Sequence, residues 1–359
     1  MMQNAGHDVR RDAAAGAVRG SAGSPRGCDR PLSEVYDVAL LDLDGVVYLG
    51  GTGIPSAPPA LKQARHRGMR LAFVTNNASR SPAAIAQQLS QLGVPASSAD
   101  LVTSAQAAAR LIADRMPAGS AVLVAGGIGL RLALRERGLR PVSTAAERPA
   151  AVVQGYAPDI NYALLAEAAL AVRGGAWYVA SNADATLPSP RGPLPGNGAL
   201  VQVLVTATGC QPVVAGKPEP PLHAEAVRRT GARRPLIVGD RLDTDIEGAV
   251  RAGADSMLVL TGVSRPADVV LAPPRCRPAY LAVDLAGLLE PHPQVAAAGG
   301  AFRCGGWTVS GQLKLSGSGA PVDGLRALCA AAWSAGADSA DAVRSAVGRL
   351  GFPADAGPS

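Results

Sequence analysis

The chain has 359 residues and a formal net charge of +6, and 48% of its residues are hydrophobic and 17% charged. This length exceeds one small module, the composition is too apolar for a disordered protein, and no apolar run reaches the ~20 residues of a membrane helix. The dispersed positive charge and low aromatic content disfavour nucleic-acid binding, and five scattered cysteines without a CxxC pair favour the reducing cytosol over a disulfide framework or structural zinc. We expect a globular, cytoplasmic protein that binds neither nucleic acid nor membrane.

Residues 1–34 are rich in Ala, Gly, Ser and Arg and have neither a periodic pattern nor the apolar stretch of a secretory signal, so we expect a disordered tail. From Tyr36 onward, short apolar runs alternate with helical patterns, as in a parallel sheet covered by helices. A helix is predicted to begin at Pro82 with Ser81 as its N-cap. The predicted strands of this sheet are residues 38–43, 70–75, 235–239 and 256–260.

A second αβ block lies inside this pattern, with predicted strands at 122–125, 151–155 and 176–181. Because the block interrupts the first one, we expect an inserted domain whose two ends return to the same sheet. The last segment has the pattern of a hairpin and two helices and is small for independent stability, so we expect it to pack on the main body. The predicted division is a core of residues 35–117 and 204–293, a cap of residues 118–203 and an extension of residues 294–359.

Two carboxylates follow the first buried strand, which ends in Asp42 and Asp44 with Gly45 after them. Ligands of open α/β sheets bind at the carboxyl ends of the strands, so these acids form a candidate catalytic pair. Taken alone, Asp-x-Asp-Gly is equally compatible with a capped turn.

The second strand ends in Thr75, Asn76 and Asn77, which offer a hydroxyl and N–H groups to phosphate oxygens. An N-cap cluster has the same composition. Further along, the run VVAGKP supplies another strand end and places Lys217 just before a proline that would begin a helix. Lysine is rare in this chain, which makes a chance surface lysine less expected at that position; the others are Lys62 and Lys314.

Another buried strand ends in Asp240, and Asp243 and Asp245 follow within one turn. Acids are favoured in the first turn of a helix by the helix dipole, which accounts for the last two without a catalytic role. Four strand ends in chain order therefore carry an acid pair, a hydroxyl, a lysine and an acid.

Two nucleotide-binding motifs fail on inspection. Gly127 and Gly129 begin a dinucleotide fingerprint, but Leu132 occupies the third glycine position and no acid lies near position 150. A P-loop around Lys217 would need a glycine at position 211 and Ser or Thr after the lysine, where the chain has Gln211 and Pro218.

The ordered set of strand-end residues resembles the four motifs of the haloacid dehalogenase superfamily of phosphotransferases. The resemblance covers about residues 36–290 and is carried by LDLDGVVY, FVTNN, GKPEP and GDRLDTDI. The inserted block is similar to the large αβ cap of a subgroup that includes p-nitrophenylphosphatase-like, phosphoglycolate and glycerol-3-phosphate phosphatases. The implied fold is α/β: a Rossmann-like parallel core sheet with an inserted αβ cap, followed here by a small C-terminal α+β extension.

The resemblance implies that Asp42 attacks phosphorus to form an aspartyl-phosphate and that Asp44 protonates the leaving alkoxide. A single Mg²⁺ would be held by Asp42, Asp240 and the backbone carbonyl of Asp44, all hard oxygen ligands. Lys217 would supply the remaining positive charge against the phosphate dianion, and Asp245 would orient the metal site or Lys217.

Substrate contacts are expected from both domains. Thr75 and the N–H groups around Asn76 and Asn77 would hold the transferring phosphoryl oxygens, and the resemblance points Asn182 and Asp184 of the cap toward the core site. The Pro- and Gly-rich segment 181–200 is predicted to be a shaped loop, and Arg191 within it is expected to be a solvated arginine.

A closing cap favours small phosphate esters. The motifs followed by a C-terminal extension resemble bacterial glycerol-3-phosphate phosphatases, so we expect glycerol 3-phosphate first, and then 2-phosphoglycolate, nucleoside monophosphates or pyridoxal phosphate. Two other classes stay open, a non-catalytic binding or regulatory protein on the same fold and a nucleic-acid-binding protein. The presence of both Asp42 and Asp44 argues against the non-catalytic class. A homodimer is left open.

Overall fold

The computed structural model describes residues 23–187, 189, 191–335 and 339–352. The strands are β1 (Val38–Leu41), β2 (Tyr48–Leu49), β3 (Thr52–Gly53), β4 (Arg70–Thr75), β5 (Leu101–Thr103), β6 (Ala121–Ala125), β7 (Arg140–Val142), β8 (Ala151–Gln154), β9 (Trp177–Ala180), β10 (Thr186–Leu187), β11 (Leu194–Pro195), β12 (Val213–Val214), β13 (Pro235–Gly239), β14 (Asp255–Val259), β15 (Tyr280–Ala282), β16 (Ala296–Ala298), β17 (Ala301–Cys304), β18 (Trp307–Ser310) and β19 (Lys314–Gly317). The α-helices are α1 (Leu32–Val35), α2 (Ala57–His66), α3 (Pro82–Gln91), α4 (Ser104–Ala113), α5 (Ile128–Glu136), α6 (Tyr162–Arg173), α7 (Asn197–Thr208), α8 (Pro220–Thr230), α9 (Glu247–Arg251), α10 (Pro266–Val270), α11 (Pro321–Ala335) and α12 (Ala340–Gly348).

The core is a six-stranded sheet in the order β15-β14-β13-β1-β4-β5, and all of its pairings are parallel. Alternate residues of β1 enter different hydrophobic clusters: Ala39 and Leu41 pack on one face, and Val38 and Leu40 pack on the other. Both faces of the sheet are therefore buried, as expected for parallel strands covered by helices. The predicted α/β fold class is confirmed.

The helix predicted at Pro82 is present, and its N-cap is confirmed because the Ser81 hydroxyl accepts a hydrogen bond from the N–H of Ala84 at 3.3 Å. Pro82 occupies the first helical position, where its missing N–H costs nothing. This helix, α3, begins shortly after the carboxyl end of β4 and leads the chain away from that edge of the sheet.

The inserted block forms a second parallel sheet in the order β12-β9-β8-β6-β7. One face of this sheet shares a hydrophobic cluster with core helix α4, through Val122 and Ile112 among others. The other face, which includes Leu123 and Val152, is covered by α6 and α7. The cap sheet includes β12, which lies beyond the predicted boundary at residue 203. This strand was not predicted, because two valines alone give no periodic signal in the sequence.

The segment that returns from the cap contains more regular structure than the predicted loop. Strands β10 and β11 pair in antiparallel fashion, and α7 begins at Asn197. The side chain of Asn197 is buried, and its Nδ2 donates to the carbonyl of Asn182 at 2.7 Å. Arg191 is exposed in the turn between the two strands.

The last residues form a C-terminal unit, defined here as residues 294–352, which consists of the antiparallel sheet β16-β17-β18-β19 followed by α11 and α12. The segment expected to form a hairpin, residues 302–317, contains parts of three strands, β17, β18 and β19, and β16 adds a fourth strand before it. The unit shares one hydrophobic cluster with core residues that include Leu258 and Leu281, so it packs on the main body as expected.

Residues 1–22 of the predicted tail lie outside the described residues. Residues 23–34 differ from that expectation because they contact the core: Arg26 forms an ion pair with Asp255 at 2.7 Å, and Cys28 pairs through its main chain with His292. None of the helices in the described part of the chain has both the length and the apolar character needed to cross a membrane.

Candidate active site

The predicted acid, hydroxyl and lysine positions meet at one edge of the core sheet. Asp42 follows β1, Thr75 ends β4 and Asp240 follows β13, and these three strands are neighbours. Lys217 follows β12 of the cap sheet, which brings it to the same place from the other domain. The structure thus assembles the four motifs from two sheets rather than one.

A buried ion-pair triad lies at the centre of the site. The Lys217 ammonium is 2.7 Å from Oδ1 of Asp42 and 2.6 Å from Oδ1 of Asp245, and it donates to the carbonyl of Val74 at 3.2 Å. Burial alone would lower the pKa of Lys217, but the charges of Asp245 and Asp42 outweigh that effect and raise it. Lys217 therefore carries a permanent positive charge beside the Asp42 carboxylate.

The two acids expected to bind metal are desolvated. Burial raises the pKa of Asp42 to about 6 although Lys217 opposes the shift, and burial together with the charges of Asp245 and Asp42 raises the pKa of Asp240 well above its usual value. Three carboxylates each offer an oxygen to one point, all within 4.8 Å of one another: Asp42, Asp240 and Asp245. Such a cluster of negative charge is unfavourable unless a cation neutralises it.

The two carboxylate oxygens of Asp240 differ in their hydrogen bonding. Its Oδ2 accepts from the N–H of Val263 at 2.7 Å, while Oδ1 is buried and has no hydrogen-bond partner among the described residues. The backbone crowds this carboxylate: a Cβ on Gly262 would lie 2.0 Å from Oδ2, and one on Gly45 would lie 2.4 Å from it. Hard carboxylate oxygens and an orphaned buried acceptor fit a Mg²⁺ ion held by Asp42 and Asp240.

Asp245 is in the cluster but both of its oxygens have protein partners. Oδ1 pairs with Lys217, and Oδ2 accepts from the N–H of Arg241 at 3.1 Å. Its position in a short π-helical turn, Leu242–Ile246, turns the carboxylate back toward the end of β13. These contacts fit the expected role of orienting Lys217 better than direct metal ligation.

Asp44 is exposed at the mouth of the site, although the surrounding cleft desolvates it enough to raise its pKa. Tyr48, to which the sequence analysis gave no role, lies beside it. Burial raises the pKa of Tyr48 to about 12, and the negative charges of Asp44 and Asp42 add to the shift. Tyr48 lies within the LDLDGVVY motif, and that position was the only signal for it in the sequence.

The three polar residues at the carboxyl end of β4 make different contacts. The hydroxyl of Thr75 accepts from the N–H of Asn77 at 3.1 Å, which leaves its own O–H free to donate. The side chain of Asn77 accepts from the N–H and the hydroxyl of Ser79, both at 2.9 Å, and so closes the turn before α3. Asn76 Oδ1 accepts from the N–H of Lys217 at 2.8 Å, so in this structure its side chain binds the protein main chain.

The two cap residues reach the core site. Asn182 Nδ2 donates to the carbonyl of Asn76 at 2.7 Å, and both oxygens of Asp184 lie 3.2 Å from Asn76 Nδ2. Burial raises the pKa of Asp184, while the charge of Arg241 opposes that shift. The return segment of the cap is thereby joined to the β4 end of the core.

Two further features were missed by the sequence analysis. Arg241 follows Asp240 directly, and its Nε and Nη2 donate to Asp243 at 3.0 and 2.8 Å. Residues 261–264 bind Asp240 through main-chain N–H groups. Arg241 had a signal because it lies inside GDRLDTDI, but a segment that acts through its backbone leaves none in the sequence.

Comparisons with known proteins agree with this geometry. Residues 39–140 match the model of the haloacid dehalogenase-like hydrolases, residues 214–288 match a HAD-hydrolase-like model, and residues 304–351 match the GCN5-related N-acetyltransferase like domain.

Two curated relatives illustrate the sequence similarity. The D-glycerol 3-phosphate phosphatase of Mycobacterium tuberculosis is 45% identical over 317 residues, which span 85% of this chain and 88% of the relative. A 5'-nucleotidase of Bacillus subtilis is 39% identical over 65% of this chain and 90% of its own.

Solved structures show the same relationship. The glycerol phosphate phosphatase of Mycobacterium tuberculosis in complex with magnesium has a TM-score of 0.80 and 43% identity over 90% of this chain and 99% of that one. A p-nitrophenyl phosphatase of Archaeoglobus fulgidus has a TM-score of 0.66 and 30% identity over 71% of this chain and 98% of that one. The chain belongs to the haloacid dehalogenase-like hydrolase family.

Proposed function

We propose that this chain is a Mg²⁺-dependent phosphatase that hydrolyses glycerol 3-phosphate to glycerol and phosphate through an aspartyl-phosphate. The observation that carries the proposal is that Asp42 lies 2.7 Å from Lys217 and offers an oxygen within 4.8 Å of the buried Asp240 carboxylate, whose Oδ1 has no partner among the described residues. A nucleophilic carboxylate beside a fixed cation and a cation site is what attack on a phosphate dianion requires.

Asp42 and Asp240 would hold the Mg²⁺, together with the backbone carbonyl of Asp44. When bound, the ion neutralises charge on the phosphate and on the surrounding carboxylates. The magnesium complex of the mycobacterial phosphatase supports this choice of metal. The orphaned oxygen of Asp240 supports it independently.

The protein's own groups then divide the chemistry. Asp42 attacks phosphorus in line with the leaving alkoxide, while Lys217 and the Thr75 hydroxyl stabilise the charge on the phosphoryl oxygens. Asp44, exposed to the cleft and with a raised pKa, donates its proton to the leaving oxygen. It then accepts a proton from the water that hydrolyses the aspartyl-phosphate.

The substrate is proposed from the relatives. The M. tuberculosis relative is named for D-glycerol 3-phosphate and is similar to 85% of this chain. The B. subtilis relative is named a 5'-nucleotidase, which keeps nucleoside monophosphates as the second candidate. Phosphoglycolate and pyridoxal phosphate remain outcomes of a substrate panel.

The test is turnover of a panel of phosphate esters by the purified full chain, as kcat/KM for each ester with Mg²⁺ and with chelator. Glycerol 3-phosphate should have the highest kcat/KM, and chelator should abolish turnover until Mg²⁺ is restored. Asp42→Asn is the control, since the amide keeps the shape and loses the nucleophile. Turnover that survives either chelator or Asp42→Asn would refute the mechanism, and a preferred nucleotide would refute the substrate only.

The cellular setting is also a proposal. The five cysteines are all free, which supports residence in the reducing cytosol. A homodimer and the lack of nucleic-acid binding stay predictions, which sedimentation and the salt dependence of DNA retention would test.

A further inference from the structure

Helix α10 lies beneath the C-terminal unit. Both α11 and α12 pack on it, and its residues Val269 and Val270 are buried in the hydrophobic cluster that the unit shares with the core. The indole Nε1 of Trp333 in α11 donates to the carbonyl of Val269 at 3.2 Å. The guanidinium of Arg277 lies 5.2 Å from the centre of the Trp333 ring and covers it. The position of α10 is therefore fixed from outside the core by a tryptophan.

The segment that precedes α10 holds the metal ligand Asp240. The N–H of Val263 donates to Asp240 Oδ2 at 2.7 Å, and the N–H of Ser264 donates to the Asp240 carbonyl at 3.1 Å. The Ser264 hydroxyl accepts from the N–H of Leu242 at 3.1 Å, at the start of the π-helical turn. Only Arg265 separates this segment, residues 261–264, from the first residue of α10.

The same segment reaches the nucleophile side of the site. The hydroxyl of Thr261 donates to the carbonyl of Gly45 at 2.5 Å, immediately after Asp44. Because no side chain fits between Gly262 and Asp240, a small shift of this backbone must move the carboxylate as well. The segment thus acts as a rigid support for Asp240.

Two charged residues of α11, which lies within the segment that matches the acetyltransferase-like model, make contacts inside the protein. Arg326 in α11 is buried, and its Nη2 donates to the carbonyl of Leu281 at 2.5 Å and contacts His292 Nδ1 at 3.1 Å. Asp323, in the first turn of α11, forms an ion pair with Arg326. Asp323 therefore neutralises the buried arginine, and the arginine joins α11 to strand β15 of the core sheet.

We infer that the C-terminal unit positions the metal ligand Asp240, acting through Trp333, helix α10 and residues 261–264. Trp333 is a positioning residue and touches no reacting group. The inference rests on the proposed function only in taking Asp240 as a ligand of Mg²⁺. The inference gives the C-terminal unit a role in Mg²⁺ affinity in addition to its contribution to the stability of the fold.

The test compares three variants of the full chain. Trp333→Phe keeps most of the aromatic packing and removes the N–H that binds Val269, and Trp333→Leu removes the ring as well. Leu315→Ala is the matched control, because Leu315 is buried in the same cluster but lies on edge strand β19 of the C-terminal sheet. Its cavity should lower the melting temperature without acting on α10.

Two readouts are needed, and neither uses a substrate. Calorimetric titration with Mg²⁺ should give a Kd raised several-fold in Trp333→Leu and by less in Trp333→Phe, with Leu315→Ala unchanged. Hydrogen exchange at the N–H groups of Val263 and Ser264 should be faster in both Trp333 variants than in the parent and the control.

An unchanged Kd and unchanged exchange in both Trp333 variants would overturn the inference, as would equal effects in Leu315→Ala. If the parent bound Mg²⁺ and hydrolysed no ester, the proposed function would fail while the inference stood on the Kd values. If the parent bound no Mg²⁺, the exchange rates would still decide whether the unit holds Asp240 in place.

Discussion

The side-chain amide of Asn76 holds the main chain of Lys217 at both ends: Oδ1 accepts from the Lys217 N–H at 2.8 Å, and Nδ2 donates to the Lys217 carbonyl at 3.1 Å. Strand β12, which leads to Lys217, pairs with β9 of the cap sheet, so no pairing of β12 within the core sheet positions the lysine. The two hydrogen bonds from Asn76 join it to the core instead. Asn76 therefore fixes where the cationic side chain enters the core site.

Replacing Asn76 with Ala should lower kcat by at least about tenfold, since Lys217 would lose its alignment with Asp42. The unpaired main-chain groups should also cost about 1–3 kcal/mol of the free energy of unfolding. Steady-state kinetics and urea unfolding measure the two effects. The neighbouring Asn77→Ala is the control, because its side chain closes the turn before α3 with Ser79 and Arg80 and has no hydrogen bond to Lys217. A loss of kcat as large in this variant would contradict the assignment.

The role of Asp44 depends on the leaving group. In Asp44→Asn, turnover of an alkyl ester such as glycerol 3-phosphate should fall by about 10²–10⁴-fold, because the alkoxide needs a proton in the transition state. Turnover of p-nitrophenyl phosphate should fall much less, because p-nitrophenolate leaves without one. Parallel measurements of kcat on both esters test this, and an equal loss on the two would show that Asp44 does not act mainly as the acid.

The contact between the C-terminal unit and the core should be sensitive to acid through His292. Its Nε2–H donates to the carbonyl of Gly287 at 2.8 Å, and its Nδ1 accepts from Arg326 at 3.1 Å, which requires a neutral ring. Burial, and then the charge of Arg326, lower its pKa to about 4. In the unfolded chain the His292 imidazole takes up a proton near pH 6.5, whereas in the folded chain it does so only near pH 4. The free energy of unfolding therefore decreases as the pH falls from 6.5 toward 4.

By this linkage His292 alone should cost about 2 kcal/mol of the free energy of unfolding between pH 7.5 and pH 5. His292→Gln keeps a donor for Gly287 and an acceptor for Arg326 but does not titrate. Denaturant unfolding of both proteins at the two pH values isolates the effect, because every other titrating group is shared. A pH dependence that is the same in the variant would refute this role.

Some of the site could be predicted because its residues follow buried apolar runs. Asp42 and Asp240 come directly after β1 and β13, and Thr75 is the last residue of β4. Parallel strands bring such positions to one edge of the sheet. Asn76 could be placed there in the same way, but its partners could not. They are Lys217, 141 positions away, and Asp184, 108 positions away, and no local pattern encodes contacts over such distances.

Two parts of the molecule gave too little signal for prediction. Strand β12 is only two residues long, which is too short for a period, so the extent of the cap sheet was not predicted. The 261–264 segment binds Asp240 through its backbone, and its side chains carry no charge. Sequence reasoning that looks for reactive side chains overlooks such a support.

The cap loop should affect the choice of ester more than the chemistry. Asp184 lies where the cap meets the core, bound to the Asn76 amide and close to the charge of Arg241. Asp184→Ala should lower kcat/KM for glycerol 3-phosphate more than for p-nitrophenyl phosphate, which binds largely through its phosphate group. Arg191→Ala, at an exposed position of the same loop, is the control and should leave the ratio of the two values unchanged. If Asp184→Ala lowers both values equally, the residue acts by holding Asn76 and Lys217 in place, and the leaving group is selected elsewhere in the cap.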